Sequence, residues 1–257
     1  MGSCFSTNNK LNNNQKIQTT GNKKTENITG HLAIPERIIK LLYNSIVNLR
    51  FKNSENKYIF ATGFFLLIKL KYKLSKFLFT CKHVISEEDI DNKIIINLYN
   101  GEKNKENKID IKLDKSMRII KTFETDVTII EIIEDDKIPD ELFLIPDLNY
   151  EYGYKIYLDK YFYMAGYPGE SNDRCVSSGQ ITKIDDKDEK NEFVHTLSTT
   201  PGSSGSPICN EIGEVIGIHK EGDIINKKIN YGSFIGKIIE ALKIEEEEDL
   251  LEIKSLH

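Results

Sequence analysis

Between residues 46 and 235 the chain consists mostly of short apolar runs and of stretches in which apolar and polar residues alternate. Val47, Leu49 and Phe51, for example, alternate with Asn48 and Arg50, and this period of two is typical of a strand with one buried face. The same criteria predict strands at 47–51, 58–70, 77–80, 94–98, 109–113, 117–123, 127–133, 156–165, 175–184, 192–197, 207–209, 214–219 and 230–235. Polar turns separate these stretches, so the pattern predicts an all-β fold, and the strands before residue 134 suffice for one small antiparallel barrel.

Two helices flank the predicted strands. Apolar residues in 34–43 recur with helical spacing, and Pro35 suits the first turn of a helix. Residues 236–243 predict a closing helix. Both helices are short, so the strands define the fold class.

Changes in composition along the chain divide it into segments. The first thirty residues are rich in Asn, Lys, Thr and Gln and bury too little apolar surface to fold. A charged stretch with two prolines separates the two groups of strands. The predicted organisation is a disordered tether at 1–30, a folded domain at 31–244 with lobes at about 45–133 and 156–235, a connection at 134–155 and a solvated acidic tail at 245–257.

Composition excludes several classes of protein. The net charge of −5 indicates no general basic face for nucleic acid. No run approaches 18 apolar residues, and the first thirty residues lack the apolar core of a secretory signal. The four cysteines follow neither disulfide nor zinc spacing, which indicates a reducing compartment. We therefore expect a cytoplasmic protein that is not secreted, in which Cys81 serves packing rather than catalysis.

The N-terminal residues Met1-Gly2-Ser3-Cys4-Phe5-Ser6 fit the pattern for N-myristoylation of Gly2 once Met1 is removed. One myristoyl chain binds a membrane weakly, and palmitoylation of Cys4 would supply the second anchor. The motif is short, so a chance match is the alternative. If it is modified, the chain is tethered to the cytosolic face of a membrane in a eukaryotic-type cell.

Glycine and serine alternate in 197–207, between two predicted strands. Serine is a weak nucleophile unless a base takes its proton, and glycine lets a backbone approach a substrate carbonyl closely. The N–H groups of Gly202 and Ser204, with Ser203 as a further donor, would then form an oxyanion hole beside a Ser204 nucleophile. Taken alone, such a cluster is more often a polar hairpin loop.

A base and an orienting carboxylate precede this cluster in the chain. His83 directly follows an apolar strand, and Asp126 opens another. Each residue alone is more often structural. The order His83, Asp126, Ser204 nevertheless matches the order in which one fold of serine protease carries its triad.

With these residues the chain resembles the chymotrypsin-fold serine proteases, and among them most closely the bacterial glutamyl endopeptidases. The resemblance implies two antiparallel six-stranded β-barrels with a short N-terminal and a C-terminal helix. It also implies a peptide or protein substrate, an acyl-enzyme on Ser204, His83 as general base, Asp126 as its orienting group, and neither metal nor cofactor. It is carried by the blocks 61–65, 80–84, 166–169, 197–207 and 214–219. The chain departs from the family pattern at Lys82, Pro201, Lys220 and Glu221.

The resemblance also predicts a specificity pocket. Thr199 and His219 stand where the glutamyl endopeptidases bind an acidic side chain, so we expect cleavage after Glu, with Gln or Asp less favoured. In the family a freed N-terminus adds positive charge to the pocket; here that charge is missing, and Lys220 would replace it only if it points inward. Because Ser203, not an aspartate, precedes the nucleophile, we expect activity without proteolytic maturation.

Two alternatives remain open from the sequence. A long cation at Lys82 beside the catalytic histidine would suit a pseudoprotease that uses the fold for binding. A heat-shock type protease would carry a peptide-binding module after the barrels, for which the chain offers little length. The oligomeric state is not predicted.

Overall fold

The alternating segments assemble into two antiparallel sheets in the computed structural model, which describes residues 33–100, 107–169, 173–185, 191–222 and 229–255, with side chains as far as residue 248. The predicted all-β fold with few helices is confirmed. The predicted tether at 1–30 lies outside the described residues. Among the described residues, no helix is long and apolar enough to cross a membrane.

Lobe one is a seven-stranded sheet, where the sequence predicted a closed six-stranded barrel. Its strands are β1 (Ile46–Lys52), β2 (Tyr58–Lys69), β3 (Leu74–Cys81), β4 (Ile95–Asn100), β5 (Asn107–Lys112), β6 (Ile120–Phe123) and β7 (Val127–Glu131). They are ordered β5-β4-β1-β2-β3-β7-β6, so β5 and β6 stand at opposite edges of the described sheet. Strand β6 is shorter than predicted, because the N–H of Met117 turns back to the carbonyl of Asp114, and the paired residues of β6 and β7 begin at Ile120.

Lobe two closes into the six-stranded barrel that the sequence predicted. Its strands are β8 (Tyr161–Gly166), β9 (Cys175–Asp185), β10 (Glu192–His195), β11 (Pro207–Cys209), β12 (Val215–Gly222) and β13 (Asn230–Phe234). Their order around the barrel is β10-β13-β12-β11-β8-β9. Phe193 and Phe234 fill its interior, with ring centroids 4.4 Å apart.

The segment between the lobes contacts both of them. It consists of short 3-10 turns and two isolated bridges, in which Leu144 pairs with Leu66 of lobe one and Pro146 with Val215 of lobe two. The connection therefore packs along the junction of the two sheets.

The helices differ from the prediction in position and length. Helix α1 (Glu36–Ser45) starts two residues later than predicted, since Pro35 takes the N-cap position. Helix α2 (Glu87–Asp91) was not predicted, although Ser86 and Asp89 form the capping box that marks its start. Helix α3 (Gly236–Ser255) runs well past the predicted end.

The longer α3 corrects the prediction of a solvated acidic tail. Glu246 is buried and accepts a hydrogen bond from the backbone N–H of Tyr72 at 3.1 Å. Its neighbours Glu245 and Glu247 pair with Lys121 and Lys71 of lobe one. The acidic residues continue the helix because basic and N–H groups of lobe one lie opposite them.

A single buried threonine of lobe one, Thr62, holds the serine loop of lobe two. Its N–H donates to the carbonyl of Ser204 at 3.0 Å, and its hydroxyl donates to the carbonyl of Gly202 at 2.9 Å. The same hydroxyl accepts the N–H of Tyr167 at 2.9 Å. The backbones are so close here that a Cβ on Gly205, which has φ +88°, would collide with the Thr62 carbonyl.

We predict that Thr62→Val destabilises the protein by roughly 2–4 kcal/mol, because two buried backbone groups, the carbonyl of Gly202 and the N–H of Tyr167, lose their partner. Urea unfolding measures this. The matched control is Thr182→Val, which alters an exposed hydroxyl on β9 and should shift stability by less than about 0.5 kcal/mol. Equal effects of both changes would contradict the prediction.

Candidate active site

The predicted base and its orienting carboxylate lie side by side. After β3 the N–H of Ile85 returns to the carbonyl of Cys81, and this turn presents His83. Asp126 lies just before β7 with φ +62°, a left-handed conformation that aspartate tolerates better than most residues. Its Oδ2 is 2.8 Å from His83 Nδ1, and its Oδ1 accepts the His83 backbone N–H at 3.0 Å.

The two hydrogen bonds keep Asp126 ionised. Burial alone would raise the pKa of its carboxyl group, but the ring and backbone N–H groups of His83 outweigh burial, and the net pKa is lowered. An ionised Asp126 that faces Nδ1 requires the proton to sit on Nδ1. The other ring nitrogen, Nε2, is then free to accept a proton.

Ser204 lies on the loop before β11, and its hydroxyl donates to the carbonyl of Lys220 at 2.9 Å. Among the described residues this carbonyl, and not the His83 ring, is its hydrogen-bond partner. Rotation about one side-chain bond must break this contact before Ser204 can donate to His83, which costs about 0.5–1.5 kcal/mol. The structure therefore shows the hydroxyl of Ser204, the predicted nucleophile, bonded to Lys220 rather than to the predicted base.

The predicted oxyanion-hole residues form a tight turn. Ser203 N–H donates to the carbonyl of Thr200 at 3.0 Å, with Pro201 and Gly202 between them and φ +92° at Gly202, which matches a type II turn. Ser203 N–H is thus engaged, and its predicted role as an oxyanion donor is corrected; the N–H groups of Gly202 and Ser204 remain as donors.

The peptide group between Pro201 and Gly202 is fixed by a hydrogen bond to its carbonyl oxygen. The carbonyl of Pro201 accepts the N–H of Gly169, from the turn that follows β8. Since the N–H and C=O of a trans peptide point in opposite directions, the Gly202 N–H points away from Gly169. This fixed donor orientation is what stabilisation of an oxyanion requires.

Thr199 and His219 both line one cavity of about 350 Å³ beside Ser204. Larger grooves, of about 790 and 750 Å³, lie elsewhere and contain none of the triad residues. The cavity is lined by Thr199, Thr200, Pro201, Ser204, His219, Glu221, Gly222 and Asn230. The structure therefore brings the predicted specificity residues together with the nucleophile.

The sequence analysis missed two residues, Asn230 in the pocket lining and His195 behind His219. Asn230 accepts the Thr199 hydroxyl at 2.7 Å and donates its amide to the carbonyl of Leu197 at 2.7 Å. His195, fully buried, places Nε2 at 3.2 Å from Nδ1 of His219. His195 lies within the predicted strand 192–197 and Asn230 opens the predicted strand 230–235, and it is the pairing of the two residues across β10 and β13 that brings them together near the pocket.

His219 and its buried partner His195 are both neutral at pH 7. Burial lowers the pKa of His219 to about 4, a shift that the backbone of Tyr231 partly offsets. Burial and the neighbouring His219 also lower the pKa of His195. At neutral pH this buried pair carries no positive charge.

The two lysines at which the chain departs from its relatives are both paired with carboxylates. Lys82 Nζ lies 3.2 Å from Glu124, and Lys220 Nζ lies 2.6 Å from Glu192. The sequence analysis considered Lys220 as a source of positive charge for the pocket. Its charge is balanced instead by the carboxylate of Glu192 on β10.

Cys81, His83 and Asp126 offer three ligand atoms within 4.8 Å of one another, a spacing that a metal ion could use. Burial raises the pKa of the Cys81 thiol well above its usual value, and its S–H donates to the carbonyl of His219. A metal would have to displace that proton and the hydrogen bond between His83 and Asp126. The expectation of no metal remains a prediction, and the lipidation residues Gly2 and Cys4 lie outside the described residues.

Comparison with known proteins agrees with this geometry. The family model of the trypsin-like peptidase domain matches residues 61–218. A glutamyl endopeptidase from Staphylococcus aureus is 41% identical over 76 residues, which are 29% of this chain and 21% of that protein. The match spans about a fifth of that relative's length.

Solved structures show the same fold at low identity. The active form of the Rv3671c protease from M. tuberculosis has a TM-score of 0.55 at 16% identity, over 80% of this chain and 85% of that one. A serine endoprotease from Yersinia pestis has a TM-score of 0.57 at 16% identity, over 82% and 68%.

We predict that acidification from pH 6.5 to pH 4 destabilises the protein through His219. Its pKa is lower in the folded state than in the unfolded state, so the unfolded state binds more protons in this window and stability falls as pH falls. The loss from this group is on the order of 3 kcal/mol. Urea unfolding at several pH values measures it.

His219→Gln should flatten that slope, whatever its effect on stability at pH 7. Thr182→Val, which alters an exposed hydroxyl on β9, provides the control and should leave the slope unchanged. A slope that is the same in wild type and His219→Gln would contradict the prediction.

Proposed function

Since the chain belongs to the trypsin-like peptidase family, we propose that it is a serine endopeptidase in which Ser204, His83 and Asp126 form the working triad. The observation that carries the proposal is the contact of 2.8 Å between Asp126 Oδ2 and His83 Nδ1, beside a serine loop whose Gly202 N–H is fixed by its neighbours. The family membership and the fold support peptide hydrolysis; the assignment of the triad is our proposal.

In the proposed mechanism Ser204 Oγ attacks the carbonyl carbon of the scissile bond while His83 Nε2 takes its proton. Asp126 stabilises the imidazolium that forms. The negative charge on the carbonyl oxygen is stabilised by the N–H groups of Gly202 and Ser204. His83 then gives the proton to the leaving amine, and water hydrolyses the acyl-enzyme through the same groups.

The position of Lys82 supports activity over the pseudoprotease alternative. The argument for a silent protease was that a lysine beside His83 would block the cleft or reduce the basicity of the histidine. Its ammonium group instead contacts Glu124, which is 95% exposed. In this position Lys82 leaves access to His83, whose side chain is 47% exposed.

We further propose that the pocket beside Ser204 takes a side chain that ends in a carboxyl or carboxamide group. Thr199 and His219 place polar atoms at the lining of the cavity, which suits a side chain that can form hydrogen bonds there. Of these side chains, the sequence resemblance favours glutamate.

Labelling with a fluorophosphonate probe tests the triad. We expect the full-length protein to be labelled, and Ser204→Ala and His83→Ala to lose labelling. Asp126→Asn should lower kcat by about 10⁴-fold, because it favours the wrong tautomer of His83. Asp110→Asn, a change on the exposed face of β5, is the matched control. A folded wild type that is not labelled would favour the binding module.

We also propose that the chain is anchored to the cytosolic face of a membrane by acylation of Gly2 and Cys4. The motif at residues 1–6 supports this proposal. A lipid-anchored protease would act on proteins at that surface.

Metabolic labelling with alkyne analogues of myristate and palmitate tests the anchor. We expect Gly2→Ala to abolish myristate labelling and membrane association. Cys4→Ser should keep the myristate and weaken membrane association, because one chain binds only weakly. Ser3→Ala is the matched control. Membrane association that persists in Gly2→Ala would refute the proposal.

A further inference from the structure

We infer that the pocket beside Ser204 selects glutamine over glutamate as the residue before the cleaved bond, an inference that rests on the proposed endopeptidase function. It concerns the direction of hydrogen bonds and the balance of charge in the cavity. Both can be read from residues around Thr199 and His219.

The hydroxyl of Thr199 has no proton left for a substrate. The amide nitrogen of Asn230 donates to the carbonyl of Leu197 at 2.7 Å, so the amide oxygen must face Thr199. That oxygen accepts hydrogen bonds only, and the Thr199 hydroxyl therefore donates its single proton to it, at 2.7 Å. Toward the cavity Thr199 offers lone pairs.

A carboxylate also offers lone pairs only. To bind a glutamate side chain, Thr199 would have to turn away from Asn230 and leave a buried amide oxygen without its donor, since Asn230 is only 7% exposed. Leaving such a group unpaired costs more than an ordinary hydrogen bond gains. The N–H of a carboxamide binds Thr199 without disturbing that bond.

His219 accommodates a carboxamide in either of its neutral forms. Its Nδ1 shares one proton with Nε2 of His195 across 3.2 Å. If His195 donates, His219 Nε2 carries a proton for the carboxamide oxygen; if His219 donates, Nε2 accepts from the carboxamide nitrogen. A carboxylate fits only the first form, and then only at His219.

The charges around the pocket also disfavour a carboxylate. Lys220 is paired with Glu192 at 2.6 Å, and Glu221 is among the residues that line the cavity. The titratable groups that face His219 from the neighbouring elements are His195 of β10 and His83 of lobe one. Among the described residues that line the cavity, none is a cation that would balance a second carboxylate.

The test uses purified full-length protein and matched peptides that differ only in Gln, Glu, Leu or Arg before the cleaved bond. We expect kcat/KM at pH 7.5 to be at least about tenfold higher for Gln than for Glu, the value of one well-placed hydrogen bond. As pH falls from 7.5 to 5, the ratio of kcat/KM for Gln to kcat/KM for Glu should fall, because a protonated carboxyl group can donate a hydrogen bond to Thr199. The ratio of the two rates cancels any effect of pH that acts equally on both peptides.

Variants separate the two contributions. Thr199→Val should lower kcat/KM for Gln by about threefold to tenfold and should lower it for Glu by less, so that the Gln/Glu ratio falls. Glu221→Gln should raise kcat/KM for Glu by about threefold, because it removes a negative charge from the lining, and should thereby narrow the preference for Gln. Thr182→Val on β9 is the matched control, and both rates should keep their wild-type values.

The outcomes distinguish this inference from the function on which it rests. Labelling by fluorophosphonate with equal or faster cleavage after Glu overturns the glutamine preference alone. Labelling with cleavage after Leu or Arg overturns the proposed pocket as well. If the folded protein is not labelled and cleaves none of the peptides, the proposed endopeptidase function is overturned, and the glutamine preference is overturned with it.

Discussion

The hydrogen bonds of Thr62 are the constraint on which the active site depends. The proposed triad is divided between the lobes, since His83 and Asp126 belong to lobe one and Ser204 to lobe two. Thr62 connects them by binding the carbonyls of Gly202 and Ser204. These two carbonyls lie in the loop that carries the nucleophile and the oxyanion donors, so the same contacts that join the lobes also orient the catalytic backbone.

A second contact reinforces this joint from the other side. Ser233 of β13 donates to the carbonyl of Thr125 at 2.6 Å, directly before Asp126. The orienting carboxylate is thus tied to lobe two, while the serine loop is tied to lobe one. Each half of the proposed site is therefore held by the lobe that carries the other half.

The sequence predicted the parts of the site that depend on local pattern. Each predicted residue lies in a short segment with a recognisable local sequence: His83 follows an apolar strand, Asp126 precedes one, and Ser204 lies in a turn of glycine and serine. Asn230, His195 and the pair of Lys220 with Glu192 were not predicted, because their roles arise from pairing between β10, β12 and β13. The extent of α3 was missed for a similar reason, since its glutamates depend on Lys71 and Lys121, more than a hundred residues away.

The close approach of the lobes at Gly205 limits which substitutions can abolish activity without unfolding the protein. A side chain at Gly205 would need both a strained backbone and space that Thr62 and Thr80 already fill. Removing the Ser204 hydroxyl, by contrast, breaks only the contact to Lys220. Substitution of a residue of the proposed triad is therefore the change that can leave the protein folded but inactive. Substitution of Gly205 would instead destabilise the fold, and activity would be lost because the protein unfolds.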